Sequence, residues 1–103
     1  MIRQQPERRI QLTILKYLKM KGYAAGKIKS TGARRGKYFI LDPYQFTGIA
    51  DIMVFTPALS FIEVKAGRNK QSPDQIAFQA LCNKAAVPYH VVYSLDDVIK
   101  LFP

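Results

Sequence analysis

Gly48-Ile49-Ala50-Asp51-Ile52-Met53-Val54-Phe55 and, after a five-residue gap of Thr-Pro-Ala-Leu-Ser, Phe61-Ile62-Glu63-Val64-Lys65 form the stretch on which the fold turns. Residues 52–55 and 61–64 are short apolar, β-branched and aromatic runs, and their separation predicts an antiparallel hairpin with a short loop. Side chains alternate faces along a strand, so Glu63 and Lys65 project from one side and Ile62 and Val64 from the other. Asp51 opens the partner strand. The reading places it diagonal to Glu63, near enough for both carboxylates to hold one ion.

Working outward, Pro6 and Glu7 suit a first helical turn, and Ile10, Ile14, Tyr17 and Leu18 follow at helical spacing until Gly22 stops the helix. A short strand is expected over 23–28. Residues 29–37, polar and Gly-containing, read as a loop, and 38–41 reads as a strand ended by Asp42-Pro43. On the other side, Ser72-Pro73-Asp74-Gln75 has the form of a capping box and predicts a helix to about Lys84. A strand over 89–93 and a short helix capped by Ser94, running through Asp96, Asp97 and Leu101, complete the chain. The expected architecture is α/β, with a core in α-β-β-β-α-β order and a short C-terminal helix. Residues 1–103 read as a single domain, since this length supports one modest core.

Sixteen Lys and Arg stand against seven Asp and Glu, for a net charge of +9. Such an excess in a small domain favours a polyanion, with nucleic acid first, because each neutralised phosphate releases a condensed counterion. An anionic membrane is the competing partner. No stretch reaches the roughly twenty apolar residues of a bilayer span, and no amphipathic segment gathers its basic residues on one face. The N-terminal residues lack an apolar signal region, so the reading keeps the protein in the compartment where it is made. Cys82 is the one cysteine, unable to form an internal disulfide, and reads as a small buried apolar residue. His90 is the one histidine, so a His-centred zinc site has nothing to be built from.

Phosphodiester hydrolysis needs charge neutralisation at the phosphoryl group and an activated water. Two carboxylates with a backbone carbonyl make a hard oxygen site for Mg²⁺ or Mn²⁺ that serves both needs. Asp51 and Glu63 supply the carboxylates, the carbonyl of Val64 is the candidate third ligand, and Lys65 can orient or deprotonate the water and stabilise developing charge. A bare Glu-x-Lys also fits a strand-edge ion pair. Here it is one of only two glutamates in the chain, and it ends an apolar strand that faces a Gly-x-x-Asp. Lys27, Lys29, Arg34, Arg35 and Lys37 form the densest basic run, and Arg68 and Lys70 follow the catalytic strand. Two such runs flanking one hairpin point to guidance of a nucleic-acid strand.

Taken together, Glu7 on a first helix, Gly48-x-x-Asp51, Ile62-Glu63-Val64-Lys65 and Ser72-x-x-Gln75 opening a helix resemble the virus-type replication-repair nuclease (VRR-NUC) family of the PD-(D/E)xK, restriction-endonuclease-like superfamily. The chain is also similar to archaeal Holliday-junction resolvases. The resemblance implies a stand-alone, phage-type enzyme acting in a bacterial host's cytoplasm as a Mg²⁺- or Mn²⁺-dependent endodeoxyribonuclease, selective for branched DNA. It implies that Asp51 and Glu63 bind metal, that Lys65 is catalytic, that Gln75 supports the site, and that Glu7 reaches the metal or its waters. The competing roles are a helix-dipole carboxylate for Glu7 and the capping box for Gln75. Ala50 stands where the family commonly has Pro, which touches backbone shape and not the ligands. Two alternatives remain: a non-catalytic nucleic-acid-binding module on the same fold, and a flap or nicking nuclease working as a monomer. A homodimer is the expected state for a junction resolvase, with Tyr38, Phe39, Tyr44 and Phe46 as part of its interface unless they pack a core or stack on bases.

Overall fold

The computed structural model describes residues 7–28, 33–35, 38–40, 46 and 48–103, with 33–35 and 38–40 described by their backbone alone. Helix α1 spans Glu7–Met20 and buries Ile10, Gln11, Ile14 and Leu18, a stripe spaced to face one way. It ends at Gly22, whose φ of 88° lets its N–H donate to Lys19 O at 3.0 Å while Tyr23 N–H donates to Leu18 O at 2.9 Å. This pair of bonds is a Schellman stop, and it turns the chain directly into the sheet.

Strands β1 (Ala25–Lys27), β2 (Ala33–Arg35), β3 (Tyr38–Ile40), β4 (Ile52–Val54) and β5 (Ser60–Val64) precede helix α2 (Pro73–Lys84), strand β6 (Tyr89–Val92) and helix α3 (Leu95–Leu101). The main sheet has the order β1-β4-β5-β6, antiparallel except between β5 and β6. Leaving out β2 and β3, this is the α-β-β-β-α-β core with a short closing helix that the sequence implies.

The segment read as a loop, 29–37, is corrected in part. Residues 33–35 are a strand, paired antiparallel with β3 from Ala33↔Ile40 to Arg35↔Tyr38 as a separate two-stranded sheet. Local polar composition disfavours a strand here, but the β-prone 38–40 run offers a partner along one edge, and pairing prevails. Lys29, Lys37 and Tyr44 lie outside the described residues.

The apolar core lies between one sheet face and α1 with α3. It joins Ile10, Ile14 and Leu18 to Ile52, Val54, Ile62, Val64, Val92, Val98 and Phe102. Full burial of each such side chain contributes roughly 1.5–3 kcal/mol, which offsets the polar burial described below. On the opposite face α2 packs through Phe78 and Cys82. The Phe78 ring meets Phe61, Phe46 and Tyr89 at centroid distances of 5.2, 6.1 and 6.1 Å. Cys82 is buried and His90 packs edge-on to Phe102 at 6.0 Å, in keeping with structural roles for both. Among the described residues, no helix is long and apolar enough to cross a membrane.

Candidate active site

Asp51 is held before its carboxylate is considered. Its N–H donates to Ile62 O at 3.1 Å, and its carbonyl accepts from Ile28 N–H at 2.8 Å, so β1 and β5 clamp its backbone from both sides. The hairpin register pairs Ile52 with Ile62. The ladder ends at that pair, and just beyond it Asp51 and Glu63 come near enough that each carboxyl shifts the pKa of the other. The Asp51 carboxylate accepts from Val64 N–H at 2.7 Å, completing the ladder where the partner backbone turns away. The N–H and C=O of one strand residue point to the same edge, so the Val64 carbonyl lies on the Asp51 side.

Gly48 fixes how the chain reaches Asp51. With φ at 71°, it passes so close to the start of α2 that an added Cβ would stand 2.6 Å from Gln75 N, with Asp74 backbone atoms at least as near. The Gly of the Gly-x-x-Asp motif therefore joins the carboxylate strand to the helix that carries Gln75.

Glu63 is 1% exposed and Lys65 6%, on the sheet face covered by α2. Gln75 Nε2 donates to Glu63 Oε2 at 2.8 Å, and Gln75 Oε1 accepts from Lys65 Nζ at 2.8 Å. The same Oε1 accepts from Ser72 N–H at 2.8 Å, while Ser72 Oγ accepts from Gln75 N–H at 3.2 Å, which closes the capping box. The capping box and the bonds to Glu63 and Lys65 thus meet in one side chain. Lys65 Nζ lies 3.5 Å from Glu63 Oε2. Burying two charges costs several kcal/mol each, and this lattice of bonds recovers it only while every member is present.

Burial, and then the charge of Asp51, push the Glu63 carboxyl up to about 7 against the pull of Lys65. Asp51 is raised as well, chiefly by burial and against its bond from Val64, with the nearby charge of Glu7 adding to the rise. Two carboxyls facing each other at this burial are stable with a proton or a cation between them. The donor set suits a cation of the Mg²⁺ or Mn²⁺ kind: Asp51, Glu63 and the Val64 carbonyl are hard oxygens. Among the described residues no third Asp, Glu, His or Cys joins them, which leaves most coordination positions to water and substrate.

Glu7 comes to the end of β5, where its Oε2 accepts from Asn69 Nδ2 at 2.9 Å. Arg68 and Lys70 are exposed on the turn that follows Lys65. Arg34 and Arg35 lie in β2, outside the main sheet. Sequence reasoning passed over Tyr89, whose hydroxyl donates to Glu63 Oε1 at 3.3 Å and accepts from Gln71 Nε2 at 3.4 Å. The missed signal is the parallel register, Phe61↔Tyr89 and Glu63↔Val91, which sets Tyr89 on the Glu63 face. Tyr89→Phe is expected to raise the Mg²⁺ or Mn²⁺ concentration for half-maximal activity about tenfold at a largely retained maximal rate, since partners of metal ligands typically contribute 10–100-fold. An unchanged metal titration would reduce Tyr89 to packing against Phe78.

Comparison with solved structures finds a chain described as a VRR_NUC domain at 26% identity, covering 92% of this chain and 91% of that one, with a TM-score of 0.68. No protein-family model matches the sequence. No curated protein matches it either. The fold read from the sequence is borne out: this chain has the mixed α/β fold of a VRR-NUC domain, with three helices and a four-stranded sheet among the described residues.

Proposed function

We infer that this chain, a VRR-NUC-type domain by fold, is a divalent-metal-dependent endonuclease acting on DNA, with Mg²⁺ or Mn²⁺ as cofactor. The observation that carries this reading is the enclosed set of Asp51, Glu63 and Lys65 on adjoining strand ends, tied to α2 through Gln75. A divalent cation there would supply charge neutralisation at the scissile phosphate and lower the pKa of water. Asp51, Glu63 and the Val64 carbonyl would hold it. Lys65, fixed by Gln75, would face the reacting phosphate as a donor and stabilise the charge that develops on its oxygens. Glu7, steadied by Asn69, adds negative charge at the rim near Asp51. Arg34, Arg35, Arg68 and Lys70, with Lys29 and Lys37, would neutralise backbone phosphates beyond the cut, in keeping with the net charge of +9.

Branched DNA as substrate rests on the likeness to VRR-NUC domains and junction resolvases. Paired cuts at a junction need two sites in fixed relation, and a two-fold dimer is the simplest way to set one chain's site against another's. Phe46, the member of the aromatic run whose side chain is described, is 62% exposed and edge-on to Phe78, which suits such an interface. Incubating the protein with labelled linear, flap and four-way DNA, in Mn²⁺ and in EDTA, tests the reading. Metal-dependent cleavage is expected, strongest on branched forms. Binding without cleavage in any metal would favour a non-catalytic module. On a supercoiled cruciform, linear product from paired cuts supports the dimer, whereas nicked circles from a protein monomeric by light scattering support a single-site nickase.

A further inference from the structure

Between α1 and β1 lies a cleft of about 430 Å³ lined by Arg8, Arg9, Gln11, Leu12, Leu15 and Lys27. Its composition sets it apart from the carboxylate site. Among the described residues no acidic side chain lines it, and the one ion pair is Lys65 with Glu63, so no described carboxylate neutralises these three cations. Leu12 is 53% exposed and Leu15 half-buried, which gives the cleft an apolar wall within reach of water. Gln11 is 9% exposed, and its amide oxygen is buried without a hydrogen-bond partner.

The cleft adjoins the candidate active site along both walls. On α1, Arg8 follows Glu7. On β1, Lys27 precedes Ile28, whose N–H bonds the Asp51 carbonyl at 2.8 Å. A strand of nucleic acid leaving the carboxylates in this direction meets the cations at once.

Cations around an apolar wall suit a ligand with an anionic part and a flat, weakly polar part. A nucleotide has both, and a cleft of this volume falls in the range that encloses one small ligand. A base stacked and paired within a duplex cannot turn its face to Leu12 and Leu15, whereas an unpaired base can. We propose that this cleft holds one unpaired nucleotide of the substrate next to the cut, with its phosphates on Arg8, Arg9 and Lys27 and its base against Leu12 and Leu15. The cleft would then supply selectivity for frayed, tailed or branched DNA from within a single chain. This rests on the nuclease reading for its substrate class, but not on the chemistry of cleavage.

Fluorescence anisotropy in EDTA separates the two. The probes are a blunt labelled duplex and the same duplex carrying an unpaired thymidine tail. The wild-type chain is expected to bind the tailed probe about tenfold more tightly, from burial of one base against the two leucines and the added phosphate contacts. Leu12→Ser, an uncharged change at an exposed position, should abolish that preference while leaving blunt-duplex binding within about twofold. Arg9→Ala with Lys27→Ala should lower the salt slope for the tailed probe by about 0.7 for each phosphate that is no longer neutralised. Equal binding of the two probes by the wild type, or equal weakening of both by Leu12→Ser, overturns the proposal. A tail preference intact in EDTA, with no cleavage of either probe in Mn²⁺, would leave the cleft standing and sink the nuclease reading.

Discussion

On the proposed role of its carboxylate in transition-state charge and not in strand contact, Glu63→Gln is expected to reduce DNA cleavage by on the order of 10³-fold while leaving DNA binding in EDTA close to wild type. Gln is the informative replacement. Ala would leave Lys65, 6% exposed, and the Gln75 amide without their partner, and an unpaired buried charge can itself unfold a small domain. The same variant has a signature in stability. The folded-state pKa of Glu63 is raised to about 7 from an ordinary 4.5, so the metal-free fold binds a proton that the unfolded chain releases between these values. Its contribution therefore falls as pH rises through that window, and metal-free wild type is destabilised by Glu63 above pH 7. Glu63→Gln should melt higher than wild type at pH 8 in EDTA, with little difference at pH 4.5, and added Mg²⁺ should narrow the gap at pH 8 by stabilising the wild type. Asp51→Asn and Lys65→Ala are expected to lose cleavage to a similar degree. Near wild-type cleavage by Glu63→Gln would remove the site assignment altogether.

Gly48→Ala should disturb the fold far more than the same change at Gly22 or Gly26, where an added Cβ meets nothing within 4 Å. It forces a left-handed φ of 71° on a residue with a Cβ, and sets that Cβ 2.6 Å from Gln75 N. The first cost is roughly 1–2 kcal/mol and the overpacking a further 1–3 kcal/mol. Together these are a large part of the 5–15 kcal/mol that stabilises a typical domain. At about 4–8 °C per kcal/mol for a chain of this size, thermal melting should fall by tens of degrees, or the helix must shift off the sheet. Should the variant keep its melting point but lose activity, the close approach would be positioning Asp51 and Gln75 without supporting the fold. If it keeps both, the close approach does not occur in solution.

Much of this was legible in the sequence because local signals agreed with one another. Alternation in 61–64, the capping box at Ser72 and the glycine stop at Gly22 each rest on chemistry confined to a few neighbouring residues, and the structure shows each element where its signal lies. Glu63 and Lys65 share a face because strand geometry demands it, and Asp51 follows from the hairpin. What escaped depends on pairings between distant segments. Tyr89 enters through a parallel register that no local pattern encodes. The strand at 33–35 is made by its partner and not by its own composition.

Gln75 carries a consequence for how the protein loses activity. Its amide closes the first turn of α2 and, with the same atoms, holds Glu63 and Lys65. Helix ends open far more often than whole domains do. When that turn frays, both candidate site side chains lose their anchor together while the sheet beneath stays intact. Heat or mild denaturant should thus silence the protein through a small, reversible opening well before the core melts, and a bound substrate that keeps the turn closed would protect it.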